Sequence, residues 1–115
     1  MPFDGTTYEP LLIHDSLVEA RSLIERGWCG TGPRSPVGVC MTVALSDAAA
    51  RKHDYDVYLK AQLALLAAVK DTGFACGGMV EFNDSHTKEE VLAVFDRAIS
   101  SLDPHETEPQ RKVAA

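Results

Sequence analysis

The sequence predicts an all-α domain, a small four-helix bundle or orthogonal helical array with two Gly-rich irregular connections. Three observations lead there. Apolar residues recur at three- and four-residue spacing in four separate segments, as in helices with one buried face. Recognisable start and stop residues bound those segments. The stretches between them are rich in Gly and Pro and offer no confident pair of strands.

The first helix spans about 10–26. Pro10 suits a first helical position, where its missing N–H would have no partner. Ile13, Leu17, Ala20 and Ile24 recur at helical spacing, and Gly27 is a stop. Gly27-Trp28-Cys29-Gly30-Thr31-Gly32-Pro33-Arg34 then forms a turn-rich connection. Ser35-Pro36 reads as the start of a second helix over about 36–52, with Val39, Val43 and Ala44 on its apolar side and Gly38 weakening its first turn. Asp54 is an N-cap for a third helix, Tyr55 to Asp71. Its second half, Ala61 to Val69, is apolar almost all round, which predicts a central, buried helix ended by Gly73. The segment Phe74 to Phe82 reads as one short extended piece. Thr87-Lys88-Glu89-Glu90 is a capping box for the fourth helix, whose stripe is Val91, Phe95, Ala98 and Leu102 and whose stop is Asp103-Pro104. Residues 1–104 thus form a single helical domain and 105–115 a flexible C-terminal tail.

Composition bounds the class. With 115 residues, 45% of them apolar, one domain with a real core is expected. A net charge of −6 argues against a nucleic-acid binder, which needs Lys and Arg to displace phosphate counterions. Three cysteines, an odd number, point to reduced thiols in a cytoplasm. The start Met1-Pro2-Phe3-Asp4-Gly5 lacks the basic and apolar regions of a signal peptide. The run from Ala61 to Val69 falls well short of the roughly 20 residues that span a bilayer.

Several residue groups have a chemical and a plainer reading. Cys29, Cys40 and Cys76 with His53 and His86 hold the atom types of a zinc site, but no C-x-x-C or H-x₃₋₅-H spacing presets two ligands, so buried apolar thiols are the better reading. No metal and no cofactor is expected. Cys40, in the first turns of the second helix, sits where a helix dipole favours a thiolate, but its neighbours Val39, Met41 and Val43 are apolar. Gly30-Thr31-Gly32 before a helix start, with Arg34 nearby, would suit an anion, although the phosphate-binding fingerprint is incomplete. Trp28 is a ligand platform or, more simply, a core cap with its indole N–H on a carbonyl. Asn83, Asp84 and His86 form a polar cluster or an Asx turn before the last helix. That turn leaves the Asn83 side chain unassigned, and locking the loop onto another helix is a reasonable role for it. The candidate ligand-binding residues are therefore Trp28, Cys29, Arg34, Cys40, Asn83, Asp84 and His86, with no catalytic set.

Leu23-Ile24-Glu25-Arg26-Gly27-Trp28-Cys29-Gly30 and Cys40-Met41-Thr42-Val43-Ala44-Leu45, then Phe82-Asn83-Asp84, Thr87, Glu90-Val91 and Ala98-Ile99, carry a resemblance. Together they are similar to a family of short bacterial and phage-encoded proteins of unknown function. Phe82 stands where that family has Trp, and Val43 where it has Gly. The resemblance implies an intracellular α-helical domain and no activity; a phage or bacterial accessory role rests on it alone.

Two functions follow as expectations. One is a non-enzymatic interaction module with a protein partner, or a homodimer formed through the Ala-rich helix or the two loops. The other is a small-ligand or anion pocket, with or without a reaction, where the 27–40 and 82–87 loops meet. Neither involves nucleic acid or membrane.

Overall fold

The computed structural model describes residues 5–31, 34–35, 38–50, 55–75 and 77–102, with the side chains of 5–10 and of Arg34 left out. In chain order the elements are α1 (Gly5–Arg26), β1 (Arg34–Ser35), β2 (Gly38–Val39), α2 (Met41–Ala50), α3 (Tyr55–Asp71), α4 (Met79–Ser85) and α5 (Lys88–Ser101). The all-α class holds. The strands form only a two-residue antiparallel hairpin, Arg34 opposite Val39 and Ser35 opposite Gly38. Among the described residues there are five helices where the sequence led us to expect four.

The second helix begins at Met41, not at Ser35-Pro36. Backbone pairing explains the shift. Val39 N–H donates to Gly27 O at 3.0 Å, and Cys29 N–H donates to Val39 O at 3.0 Å. These groups run parallel to the chain leaving α1 and so are not available to a helix. Gly38 is required by that approach: a Cβ there would stand 2.1 Å from the Gly27 carbonyl carbon. Its presence reflects a backbone contact rather than a weakened helical turn.

The segment expected to be extended contains α4. Glu81 Oε1 accepts from Gly78 N–H at 2.8 Å, and Phe82 N–H donates to Gly78 O at 3.0 Å. A glutamate three residues into the helix thus reaches back to satisfy an orphan donor. Met79, Phe82 and Asn83 take the buried face. Asn83 and Asp84 consequently lie inside a helix and form no Asx turn ahead of one. At the other end of the chain, α1 starts at Gly5, ahead of Pro10, which loses one backbone donor inside the helix.

The bounds expected for α3 and the capping box expected for α5 hold. The Thr87 hydroxyl accepts from Glu90 N–H at 3.2 Å while Glu90 Oε1 accepts from Thr87 N–H at 2.8 Å. Gly73 follows α3 with φ +93°, a left-handed conformation that ends a helix without a Cβ clash. Asp54, Asp103-Pro104 and the proposed tail 105–115 lie outside the described residues.

The core joins Leu17 and Ile24 of α1, Met41 and Leu45 of α2, Leu65 and Val69 of α3, Phe82 of α4, and Val91 and Phe95 of α5. α1 packs on α2, α3 and α5, while α3 meets all four other helices and is the common neighbour. α3 is only half buried. Val57, Ala61, Leu65, Ala68 and Val69 face the core, but Tyr55, Leu59 and Leu63 are 72%, 37% and 65% exposed. Two long-range polar contacts set the register of α1 against α5. Arg21 Nε donates to Asp96 Oδ1 at 2.6 Å, and Lys88 Nζ donates to the Glu25 carbonyl, near the end of α1, at 2.9 Å. Such exposed pairs are worth about 0–1 kcal/mol each and orient more than they stabilise.

The two capping glutamates predict a pH dependence. Hydrogen bonds from Gly78 N–H to Glu81, and from Thr87 N–H to Glu90, hold both carboxyls below the ordinary glutamate range. A carboxyl depressed in the folded state contributes stability that is complete at neutral pH and is lost as pH falls through its lowered value. Gln at both positions keeps the accepting oxygen and removes the titration. The double variant E81Q/E90Q should therefore lose less thermal stability than the parent between neutral and acid pH. Identical acid limbs in melting curves followed by circular dichroism would contradict this.

Candidate functional site

Asn83 is where the two irregular segments meet. It is fully buried on α4. Its Oδ1 accepts from the Trp28 indole Nε1–H at 2.9 Å and from the Met41 backbone N–H at 3.1 Å. Its Nδ2 donates to the Cys29 carbonyl at 2.9 Å and to Asp84 Oδ1 at 3.2 Å. A primary amide has two donors and room for two acceptor contacts, so every capacity of this side chain is filled. Met41 is the first residue of α2, whose opening N–H groups lack partners inside the helix. Asn83 therefore caps α2 from another helix.

The structure thus brings Trp28, Cys29, Cys40, Asn83 and Asp84 close together and shuts most of them in. Cys29 and Cys40 are free thiols, 4% and 5% exposed. The Cys29 thiol donates to Thr31 O at 3.1 Å. Cys40 stands immediately before α2 rather than in its first turns, and its carbonyl accepts from Ala44 N–H at 2.9 Å. Trp28 packs on the core, with Gly30 so close that a Cβ there would lie 2.7 Å from the ring. Arg34 lies on β1, its backbone opposite Val39. Cys76 and His53 lie outside the described residues. Among the described residues no three His, Cys, Asp or Glu side chains converge as a metal site.

His86 faces elsewhere. Its ring stacks on Phe82 with centroids 3.8 Å apart and meets Phe74 edge-on at 5.3 Å. Nδ1 lies 2.9 Å from the Phe82 carbonyl and 3.0 Å from Ser85 Oγ. The carbonyl can only accept, and the Ser85 hydroxyl donates its proton to Glu81 O at 2.7 Å. Both contacts therefore place the proton on Nδ1, and the lone pair of the neutral ring falls on Nε2. The ring lines a cleft of about 490 Å³ with Thr72, Phe74, Glu90, Val94 and Arg97. Glu90 and Arg97 are two turns apart on α5, which places a carboxylate near His86 and a guanidinium farther along. Arg97 pairs loosely with Asp71 at 3.7 Å, both more than half exposed. Of the candidate ligand-binding residues named from sequence, His86 alone lines this cleft; the roles of its α5 wall and of Phe74 were missed because the approach of the 72–74 turn to α5 is a tertiary fact.

Sequence reasoning also missed the exposed stripe on α3. Tyr55, Leu59 and Leu63 fall at four-residue spacing on one face, with Asp56 and Lys70 exposed beside them. Their spacing was legible, but the lack of a covering helix was not. A second groove, of about 350 Å³, lies between α2 and the start of α3, lined by Ser46, Ala49, Ala50, Tyr55 and Tyr58.

The Asn83 contacts predict unequal costs. Asn83→Ala leaves the Trp28 indole, the Met41 N–H and the Cys29 carbonyl without their partner, at about 1–3 kcal/mol for each buried group. On a domain whose total stability is about 5–15 kcal/mol, most of the fold should be lost. Trp28→Phe removes one donor and should cost far less. Equal urea midpoints for the two variants would refute the role given to Asn83.

No curated protein and no solved structure matches the chain. Among the described residues no helix is long and apolar enough to cross a membrane. A family model described as a family of unknown function (DUF6197) matches residues 9–101, from α1 through α5, and the chain belongs to that family.

Proposed function

We propose that this chain is a small, non-enzymatic interaction module that binds a protein surface. One observation carries the reading: Tyr55, Leu59 and Leu63 leave an apolar stripe in solvent on a helix whose opposite face is core. Apolar patches rimmed by charge mark contact sites on small proteins. The connection at 27–40 acts as scaffold, since Asn83 is fully occupied and Cys29 and Cys40 are enclosed. Both are free thiols, which suits a reducing compartment such as the cytoplasm. A phage or bacterial accessory role is compatible with this reading and rests on sequence resemblance.

The test is a photo-crosslinking amino acid placed at Leu63 in the full chain and, as control, at the exposed Glu89 of α5. Irradiation in native cell extract should give discrete adducts from position 63 and none from position 89. Equal background from both positions would overturn the reading.

A second reading, a small-ligand pocket, is supported by the cleft at His86 and not by the enclosed thiols of Cys29 and Cys40. Its apolar wall of Phe74 and Val94, with Arg97 beyond, suits a small aromatic carboxylate. Benzoate is the probe. Saturable movement of the His86 ring signals in NMR, weakened about tenfold in R97A, is expected for a charge-assisted contact. Unmoved signals would remove this reading.

A further inference from the structure

We infer that the occupant of the α3 stripe is a second copy of this chain, the two α3 helices lying antiparallel about a two-fold axis at Leu63. The inference rests on the interaction reading above and names its partner. Three features of α3 carry it. Leu63 is the middle residue of Tyr55–Asp71. Antiparallel helices crossing there overlap along their whole length, with no overhanging end. The exposed residues are also arranged about Leu63 in a self-matching order. Asp56 stands seven residues before it and Lys70 seven residues after, each about 10.5 Å along the axis. At 100° per residue both lie within about 20° of the Leu63 direction. An antiparallel pair therefore brings Asp56 to the partner's Lys70 twice, once at each end. A parallel pair would oppose Asp56 to Asp56 and Lys70 to Lys70. Finally, the side chains between are complementary in size. Leu59 lies four residues before Leu63 and the exposed Ala67 four after, so each Leu59 meets the partner's Ala67 and the two Leu63 side chains meet on the axis.

Isologous contacts need this kind of self-complementarity, with one patch serving as both surfaces. Among the described residues neither Asp56 nor Lys70 has an ion-pair partner within the chain. One helix pair makes a small interface, so the association is weak, with dissociation on the order of micromolar or above.

The test is sedimentation equilibrium on the full chain and on D56K, K70D, D56K/K70D and L63E. The three substituted positions are all exposed, and circular dichroism checks that each variant folds. The parent should show a concentration-dependent monomer–dimer equilibrium. L63E, which sets two carboxylates on the axis, should be monomeric. Each single reversal replaces two attractions by two repulsions and should weaken the dimer about tenfold, while the double reversal restores it to within about threefold of the parent. A parent monomeric to the order of 1 mM overturns the inference, as does a dimer indifferent to L63E. A double reversal that does not rescue overturns the antiparallel register. The failures remain separable. If the Leu63 crosslinker forms adducts only of another mass, the second copy is excluded while the interaction module stands. If it forms none and the chain is monomeric, both fall.

Discussion

The fold depends on one buried amide. A helix as short as α2 needs its opening donors satisfied, and neither Cys40 nor Val39 carries an oxygen in its side chain. Asn83 supplies that oxygen from α4, and the same atom also receives the Trp28 indole proton. Its amide nitrogen meanwhile holds the Cys29 carbonyl. One side chain therefore ties the exit of α1, the entry of α2 and the middle of α4. Each hydrogen bond adds only about 1 kcal/mol net. Their larger effect lies in the penalty on any arrangement that leaves three buried polar groups unpaired. Such a penalty selects one packing of short helices over its competitors.

Glycine makes that clasp reachable. The Gly27–Cys29 backbone must lie against Gly38–Val39 for the Cys29 carbonyl to face Asn83, and Gly38 presses onto the Gly27 carbonyl at a distance no Cβ allows. Gly30 lets the chain turn across the Trp28 ring. Gly30 and Gly38, between α1 and α2, are thus accounted for by close approach. The sealed surroundings of Cys29 and Cys40 belong to the same geometry, and the polar and thiol groups that look chemical in one dimension are here the inside of a joint.

What the sequence revealed follows the range of each interaction. The α5 capping box and the bounds of α3 were legible, because periodicity and caps act within four residues. The role of Asn83 as a lock onto another helix was legible in outline, since an Asx turn left its side chain without work. Its partners were not, for Trp28 and Met41 are distant in sequence. The start of α2 was misplaced because Ser35-Pro36 satisfies every local rule for a helix start, whereas the pairing of Val39 with Gly27 and Cys29 is a nonlocal bond that overrides it. The helix at Met79–Ser85 was hidden because Phe74 to Phe82 read as one extended piece, whereas Gly78 serves as an N-cap for Glu81 to reach.

The misjudged burial of α3 has a different origin, and it bears on function. Apolar residues all round a helix predict burial on all sides only if enough elements exist to surround it. Here α1, α2, α4 and α5 meet the face of Val57, Ala61, Leu65 and Val69, and Ala61 and Ala68 let them come close. That close approach uses up the available helices on one side and leaves Leu63 largely, and Leu59 partly, uncovered. Intrachain packing therefore accounts for half of the apolar character of α3. The clasp at Asn83 fixes the other half in place, because the helices that might turn to cover it are held by contacts that cannot be broken singly. A rigid scaffold with an uncovered apolar helix has the form of a preorganised binding surface: little ordering remains to oppose association, so even a small contact can be specific.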